Sequence, residues 1–329
     1  MSSVTENCIE IQSLLQKTLP GEVRILVNGA NGWLGRNISE SLWQIFGDSF
    51  DSKVLLTGSK DSIMQLQDTS ELEIRQWCHS LVTQFSPTHV IQLAFKTRDH
   101  VGEMSVDEYL EINREIIDNS QWMISLPSLI GFLHTSSGAA LGLNANDKYL
   151  DPYGYLKKFE EEVYPEACAK NGKDYLGLRV WSTTGRYIKT GGIFAIENFI
   201  SQALLHNSIR IESPSEVIRS YADANEFVLA GLLGIFTEYR GMFNSGGTEV
   251  ELGQLAALIS ELSPTKDIRV TRSSTQTSSA DIYTSSEPSI EKILKDRNLK
   301  FSNLREQVLN TMDYLIWEKE VDRQRSGGA

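Results

Sequence analysis

The chain has only three cysteines in 329 residues: Cys8, Cys78 and Cys168. The number is odd and none stand in CxxC spacing, which excludes a disulfide framework. Cys78 and His79 are adjacent, but two ligands do not make a zinc site, so no metal is expected. Long apolar runs are also missing. None could cross about 30 Å of hydrocarbon, so no membrane partner is expected. Positive charge is in deficit: 31 Lys and Arg face 43 Asp and Glu, a net charge of −12. A nucleic-acid partner needs a positive footprint and is not expected either. A small anion remains possible, because local cations and helix N-termini suffice to hold it. The opening residues MSSVTENCIE lack the basic start and apolar core of a signal peptide, so a reducing, cytoplasmic setting is expected.

What is present is ordinary for a globular chain: 40% apolar and 22% charged residues. The length fits about two domains, or one large α/β unit with an appendage. Residues 3–19 read as an amphipathic helix. Ser3 and Glu6 have capping-box spacing, Cys8, Ile11, Leu15 and Leu19 share a face with Leu14 beside them, and Pro20-Gly21 ends it. Strands are expected at Val23–Val27, Val54–Leu56, His89–Phe95, Ile130–His134 and Tyr175–Val180. Helical patterning runs through Ile38, Leu42 and Ile45, near Ile74–Phe85, and over Tyr109–Met123 and Tyr153–Ala169. Strands alternating with helices predict an α/β fold, with a parallel sheet covered on both faces. After about residue 186 the pattern is irregular. Thr271–Ser286 is Ser/Thr-rich and reads as a surface loop with a short strand, and the tail RQRSGGA as frayed.

Three motifs carry chemistry. Gly29-Ala30-Asn31-Gly32-Trp33-Leu34-Gly35 follows the first strand and opens a helix. Glycines there let a pyrophosphate approach the backbone and rest on the helix N-terminus. The second strand ends in Leu56-Thr57-Gly58-Ser59-Lys60. NAD-selective sites usually place a carboxylate there for the ribose 2′-hydroxyl, and none occurs before Asp61. Ser59, Lys60 and Arg36 offer a 2′-phosphate partners instead, which favours NADP. Third, Tyr153-Gly154-Tyr155-Leu156-Lys157 follows Thr135-Ser136-Ser137. Four residues apart on a helix, Tyr153 and Lys157 share a face. A lysine beside a phenol is expected to lower its pKa, so that it exchanges a proton near neutrality. A serine hydroxyl would hold the same substrate oxygen.

With these motifs the chain, from about Val23 to Tyr314, resembles the extended short-chain dehydrogenases/reductases, the NAD-dependent epimerase/dehydratase family. Also similar are VIQLAF (90–95), Asn113, FLHTSSGAALG (132–142), DPYGYLK (151–157), Arg219 in RSYADANEF, and FNSGG (243–247). The resemblance implies a Rossmann-type doubly wound parallel sheet with a smaller C-terminal substrate-binding region. It implies a helical extension over 1–20, a cofactor domain over 21–185 to which 226–250 return, and a nucleotide-sugar region over 186–225 and 251–329. It implies Ser137, Tyr153 and Lys157 as catalytic residues. Cofactor contacts would come from Gly29, Asn31, Gly32, Trp33, Leu34, Gly35, Arg36, Ser59, Lys60, Leu93, Ala94, Phe95, Thr135, Tyr153 and Lys157. Substrate contacts would come from Ser137, Gly138, Asn198 and Arg219, with Arg219 near a diphosphate. A homodimer through the helices carrying Asn113 and Tyr153 is implied as well. GGIFAIENFISQALL followed by RSY is similar to the branch of NDP-4-keto-6-deoxyhexose reductases of surface-polysaccharide pathways.

Departures narrow the expectation. His134 stands where an aromatic is common, Leu141 replaces a tyrosine, and Ser182 replaces an asparagine. The short connection from Ser137 to Tyr153 suggests an open or differently shaped sugar pocket. A 4,6-dehydratase carries Asp and Glu after its catalytic hydroxyl, where this chain has Gly138 and Ala139. Each missing group is typically worth about 10²–10⁴-fold in rate. The 3,5-epimerising GDP-fucose synthases have a cysteine and a histidine where Gly138 and Tyr187 stand. What remains is plain C4 chemistry. The expected activity is NADPH-dependent reduction of the 4-keto group of a nucleotide-activated 6-deoxy sugar. The alternatives are a nucleotide-sugar 4-epimerase with retained NAD, and a non-catalytic NADP-binding regulatory subunit.

Overall fold

Alternate residues of a strand point to opposite faces, and a helix lies over each face when both are apolar. In the computed structural model, which describes residues 6–191, 194–273 and 279–326, the buried aliphatic runs behave in this way. The chain begins with α1 (Glu6–Thr18), β1 (Ile25–Asn28), α2 (Trp33–Phe46), a one-turn α3 (Phe50–Lys53) and β2 (Val54–Gly58). Next come β3 (Ser62–Gln65), β4 (Glu71–Gln76), α4 (His79–Phe85), β5 (His89–Gln92), α5 (Val106–Ile124), β6 (Gly131–Ser137), α6 (Pro152–Asn171) and β7 (Asp174–Val180). The remainder holds β8 (Ser182–Thr184), α7 (Ala195–His206), β9 (Ser208–Ile211), β10 (Val217–Asp223), α8 (Ala224–Ile235), β11 (Gly241–Asn244) and β12 (Thr248–Glu251). It closes with α9 (Leu252–Leu262), β13 (Arg269–Arg272), β14 (Asp281–Tyr283), α10 (Glu291–Lys295) and α11 (Leu304–Ser326).

An eight-stranded sheet has the order β11-β7-β6-β5-β1-β2-β4-β3. Its neighbours pair in parallel except β3, which runs antiparallel to β4. The chain steps from β1 outward to β2 and β4, then returns to β5 on the other side of β1. The strand order therefore reverses between β1 and β5, and a crevice opens at their carboxyl ends. This is the Rossmann-type doubly wound arrangement. Leu26 of β1 and Phe132 of β6 pack with Tyr109 and Ile117 of α5 and Leu156 and Tyr164 of α6. Their neighbours Ile25, Val27 and Leu133 face the opposite layer, with Ile38 and Leu42 of α2 and Phe227 of α8. Each such side chain contributes about 1.5–3 kcal/mol on burial.

α1 lays Cys8, Ile11 and Leu15 against α8 and α2; Ser3 lies outside the described residues. Beyond the main sheet, β10 carries β12 on one side and β8 and β14 on the other, while β9 pairs with β13. Among the described residues no helix is long and apolar enough to cross a membrane.

The structure corrects three expectations. Ile74–Phe85 is not one helical stretch: Glu71–Gln76 is a strand with Leu72 and Ile74 inward, and only α4 is helical. Period two governs that segment because β4 pairs with β3 over Glu71–Ile74 and with β2 at Arg75 and Gln76. The strand expected over His89–Phe95 stops at Gln92, where Leu93–Phe95 turn into the crevice. The tail is helical through Ser326, so only residues 327–329 of RQRSGGA lie outside the described chain. Gly192 and Ile193 of the GGIF segment and residues 274–278 of the Ser/Thr-rich stretch lie outside it too.

Candidate active site

The glycine turn is a floor made of backbone. Gly29 and Ala30 donate their N–H groups to the Thr57 carbonyl at 2.9 and 3.0 Å, and Gly32 donates to the Gly29 carbonyl at 3.0 Å. Gly29 has φ +94°, and a Cβ there would stand 2.4 Å from the Ala94 nitrogen. A Cβ on Gly35 would stand 2.2 Å from the Gly29 carbonyl oxygen, so α2 packs directly on the turn. Gly32 caps α2, whose first N–H groups point into the crevice. Leu93, Ala94 and Phe95 continue the floor from β5, tied down where Leu93 N–H donates to the Asn28 carbonyl at 2.8 Å. Buried Asn113 accepts the Lys96 N–H at 2.8 Å and fixes the end of this loop. A dinucleotide fits this cradle: its pyrophosphate needs the side-chain-free turn and the helix N-terminus.

Other residues expected at the cofactor have varied placements. Asn31 reaches the end of β2, accepting the Ser62 hydroxyl at 2.9 Å and lying against Gly58. Ser59 and Lys60 are exposed beyond it. Arg36 donates to the Asn31 carbonyl at 3.3 Å and lies over the Tyr187 ring. Trp33 turns toward the C-terminal region, donating to the Arg186 carbonyl at 2.7 Å and meeting Phe194 edge-on. Leu34 packs on the core.

Tyr153 is set by local chemistry. Asp151 caps α6 by accepting the Gly154 N–H at 3.0 Å, and Pro152 occupies the first turn. A side chain on Gly154 would collide with Asp151 and with the Ala139 carbonyl, so its absence lets α6 pack on the turn after β6. That turn carries Ser137, whose hydroxyl accepts the Ala139 N–H at 3.2 Å and lies beside the Tyr153 hydroxyl. Phe95 meets the Tyr153 ring edge-on at 5.8 Å. Lys157 Nζ donates to the Thr135 carbonyl at 3.0 Å and lies 3.6 Å from the Phe95 ring centre. Phe95, Thr135, Ser137, Tyr153 and Lys157 therefore form one cluster at the carboxyl ends of β5 and β6.

The electrostatics differ from the expectation of a lowered phenol. Burial pushes the Tyr153 hydroxyl up, opposed by the Ser137 hydroxyl beside it and by Arg98, and reinforced by Glu160 and Asp151. Lys157 is not the free cation that the spacing suggested, because Glu160 Oε2 accepts from its Nζ at 2.8 Å. His134, fully buried in β6, is held far below the usual histidine range by burial and then by Lys157.

Four side chains at the site have no part in the expected set. The Arg98 guanidinium lies over the Tyr153 ring at 5.2 Å and pairs with Asp151 at 3.5 Å. The Tyr283 hydroxyl is 3.3 Å from Ser137 Oγ, and its ring meets Trp181 at a tilt, 4.6 Å between centroids. Trp181 fills the space over Gly138, where a Cβ would stand 2.6 Å from the indole. Aromatic rings therefore wall the space beside Ser137 and Gly138. Glu160 is the fourth. Arg219 reaches the same wall from β10: it lies over Tyr283 at 5.9 Å and pairs with Asp281 at 2.6 Å. Asn198 sits in α7, where its side-chain oxygen accepts from Gln202. A sequence signal existed for Glu160, one helical turn beyond Lys157. Trp181 and Tyr283 arrive through long-range pairing and had none. Among the described residues, no three His, Cys, Asp or Glu side chains are grouped to hold a metal ion.

No family model and no curated protein matches the chain. Solved structures do. The Thermus thermophilus UDP-glucose 4-epimerase, solved with NAD, is 17% identical with a TM-score of 0.69, over 89% of this chain and 98% of that one. The UDP-N-acetylglucosamine 4-epimerase of Methanobrevibacter ruminantium, solved with UDP-N-acetylmuramic acid, is 20% identical with a TM-score of 0.70, over 90% and 99%. The Helicobacter pylori ADP-L-glycero-D-manno-heptose-6-epimerase is 13% identical with a TM-score of 0.65, over 95% and 99%. At such identities the likeness is one of fold: nearly the whole chain is built as these nucleotide-sugar epimerases are, on a Rossmann-type sheet with a smaller C-terminal region.

Proposed function

We propose that the chain is an enzyme of the extended short-chain dehydrogenase/reductase type, acting at C4 of a nucleotide-activated sugar, and that it epimerises that carbon with its nicotinamide cofactor retained. The observation that carries this reading is the Ser137–Tyr153–Lys157 cluster beside a backbone-floored dinucleotide cradle. The likeness to 4-epimerases supports epimerisation over the net reduction expected from the sequence. A nicotinamide bound beside Phe95, Thr135 and Tyr153 would supply a hydride acceptor and donor. Tyr153 takes the O4 proton as the alcohol becomes a ketone and returns it when the alcohol reforms. For C4 to invert, the 4-keto sugar must turn its opposite face to the cofactor between the two transfers, with Ser137 holding O4 before and after the turn; Arg219 would bind a diphosphate. Gly138 and Ala139 offer no proton-transfer group, so dehydration has no machinery here.

The test starts with the protein as purified. Denaturation should release bound nicotinamide dinucleotide, and incubation with UDP-glucose or UDP-N-acetylglucosamine should yield the C4 epimer without net cofactor turnover. Tyr153→Phe should slow that turnover by at least about 10²-fold while cofactor affinity stays within a few-fold. A second reading, reduction of a 4-keto nucleotide sugar, is favoured by the raised Tyr153 hydroxyl, which suits a proton donor. Stoichiometric NADPH consumption on a 4-keto-6-deoxy nucleotide sugar, with no epimer formed, would decide for it. Loss of water from the parent hexose would retire both.

A further inference from the structure

Two adjacent glutamates on α6 take different partners. Glu161 accepts Arg179 Nε at 2.9 and 3.0 Å and Nη2 at 2.7 Å, with the Ser136 hydroxyl at 2.6 Å, and so ties α6 to β6 and β7. Glu160 faces inward instead. Its Oε2 accepts from Lys157 Nζ at 2.8 Å and its Oε1 from the Tyr164 hydroxyl at 3.2 Å. Glu160 is 1% exposed and Lys157 5%. The ammonium spends its remaining contacts on the Thr135 carbonyl and the face of Phe95. Both carboxylate oxygens thus receive a donor, and the whole pair is sealed from water.

A lysine one helical turn from a phenol acts on it as a positive charge. A carboxylate bonded to the ammonium converts that charge into a short dipole, whose field falls off much faster with distance. We propose that Glu160 is a positioning residue that holds Lys157 against Thr135 and cancels its charge, so that Tyr153 rests as a phenol and the ion pair, rather than the lysine alone, sets when it gives up its proton. This rests on the reading that Tyr153 exchanges the O4 proton. The other groups facing Tyr153 do not replace the missing cation. Asp151 on its own helix adds negative charge, and Arg98 from the loop after β5 is paired with Asp151 and 63% exposed. Tyr109 of α5 and Tyr283 of β14 are themselves pushed up by burial, and Ser137 of β6 contributes its hydroxyl. Around Glu160, Tyr164 is held protonated by burial, and Glu161 faces Arg179. His134 beneath is neutral. In an epimerase this arrangement makes the first half-reaction depend on a small phenolate fraction, so turnover should rise with pH up to the Tyr153 titration.

Tyrosinate absorbance of the full-length protein, with its cofactor as purified, can be followed against pH. Subtracting the matching Tyr153→Phe protein isolates this one phenol. Glu160→Gln should move its titration down by about one pH unit or more, and Lys157→Met should move it up. The double variant Lys157→Met/Glu160→Leu removes both charges and should return it to within a few tenths of a unit of wild type. A merely structural glutamate would not produce opposite shifts that cancel. A Glu160→Gln titration that coincides with wild type, or moves up, overturns the proposal. If that variant fails to fold, the double is decisive, since apolar groups are commonly tolerated in place of a buried ion pair. A double variant shifted up as far as Lys157→Met would mean that the lysine acted uncompensated. The titration needs no substrate, so shifts without C4 chemistry would support the role of Glu160 while retiring the epimerase reading.

Discussion

The two ends of the parallel sheet use glycine for opposite purposes. At the carboxyl end of β1, Gly29 faces the backbone of Leu93 and Ala94, with a virtual Cβ 2.4 Å from a peptide nitrogen. At the amino end of β6, Gly131 faces side chains: its virtual Cβ would stand 2.7 Å from His89 Cδ2 and 2.9 Å from Ile235 Cγ1. Backbone against backbone leaves a fixed, side-chain-free surface bearing N–H groups. Backbone against side chains makes a filled core. The carboxyl end is thus shaped for a ligand and the amino end for packing, although both need the same residue.

Substitution should separate the two ends. Gly29→Ala puts a methyl into a peptide group that cannot rotate away, at a φ that L-residues disfavour. Displacing Leu93–Phe95 should weaken cofactor binding by about tenfold or more, on top of about 1–3 kcal/mol of lost stability. Gly131→Ala should cost stability of the same order, because overpacking acts at both ends, yet leave cofactor affinity within about twofold. Thermal melts with and without cofactor measure both quantities. Equal losses of affinity in the two variants would break the comparison.

The amino end should also make the protein acid-labile. His89 is buried against Phe236 and Gly131, and burial lowers its pKa from 6.5 to about 4. Between those values the unfolded chain binds the proton and the folded chain does not. The contribution is therefore complete above about pH 6.5 and is lost as pH falls toward 4, by about 3 kcal/mol in all. Denaturant melts at pH 7 and pH 4.5 should show the loss, and His89→Leu should flatten it. His134 works in the same direction. An unchanged slope in His89→Leu would assign the acid sensitivity elsewhere.

The part around the glycine turn and Tyr153 was readable because its parts are contiguous. Strand, glycine turn and helix follow one another over residues 25–46, and Ser137, Tyr153 and Lys157 stand on consecutive elements. The part around Arg219 and Tyr283 was not, because it is assembled by β10. Asp281 lies 62 positions beyond Arg219, yet β14 pairs beside it and delivers Tyr283 to Ser137. No local pattern announces such a pairing. The segment Ile74–Phe85 misled for a different reason: Leu81, Val82 and Phe85 have helical spacing, while Glu71–Ile74 pair with the preceding β3 and only Arg75 and Gln76 with β2. Glu160 was legible in position but not in effect. A glutamate on a helix is solvated by default, and only the packing of α6 on β6 shows this one buried.

The smallest effect concerns which dinucleotide the carboxyl end accepts. β2 ends in Gly58-Ser59-Lys60, with no carboxylate to repel a 2′-phosphate, which supports NADP; the similar Thermus thermophilus enzyme was solved with NAD. The neighbouring cations are not equally free. Arg36 is engaged with the Asn31 carbonyl and the Tyr187 ring, and Arg75 lies among Asp61 and Glu73. Lys60 is exposed beside Ser59 at the strand end, where the adenosine ribose of a dinucleotide would rest. An exposed lysine meeting a phosphate gains a charge-assisted hydrogen bond, partly screened by salt. Lys60→Ala should accordingly weaken NADPH by about 1–2 kcal/mol and NADH by well under about 1 kcal/mol, since only the former carries the extra phosphate. Fluorescence titration of both dinucleotides against both proteins measures the difference, and added salt should narrow it. Tighter NADH than NADPH in the wild type, with Lys60→Ala silent toward both, would make Lys60 a solvated surface charge and leave NAD as the cofactor of this crevice.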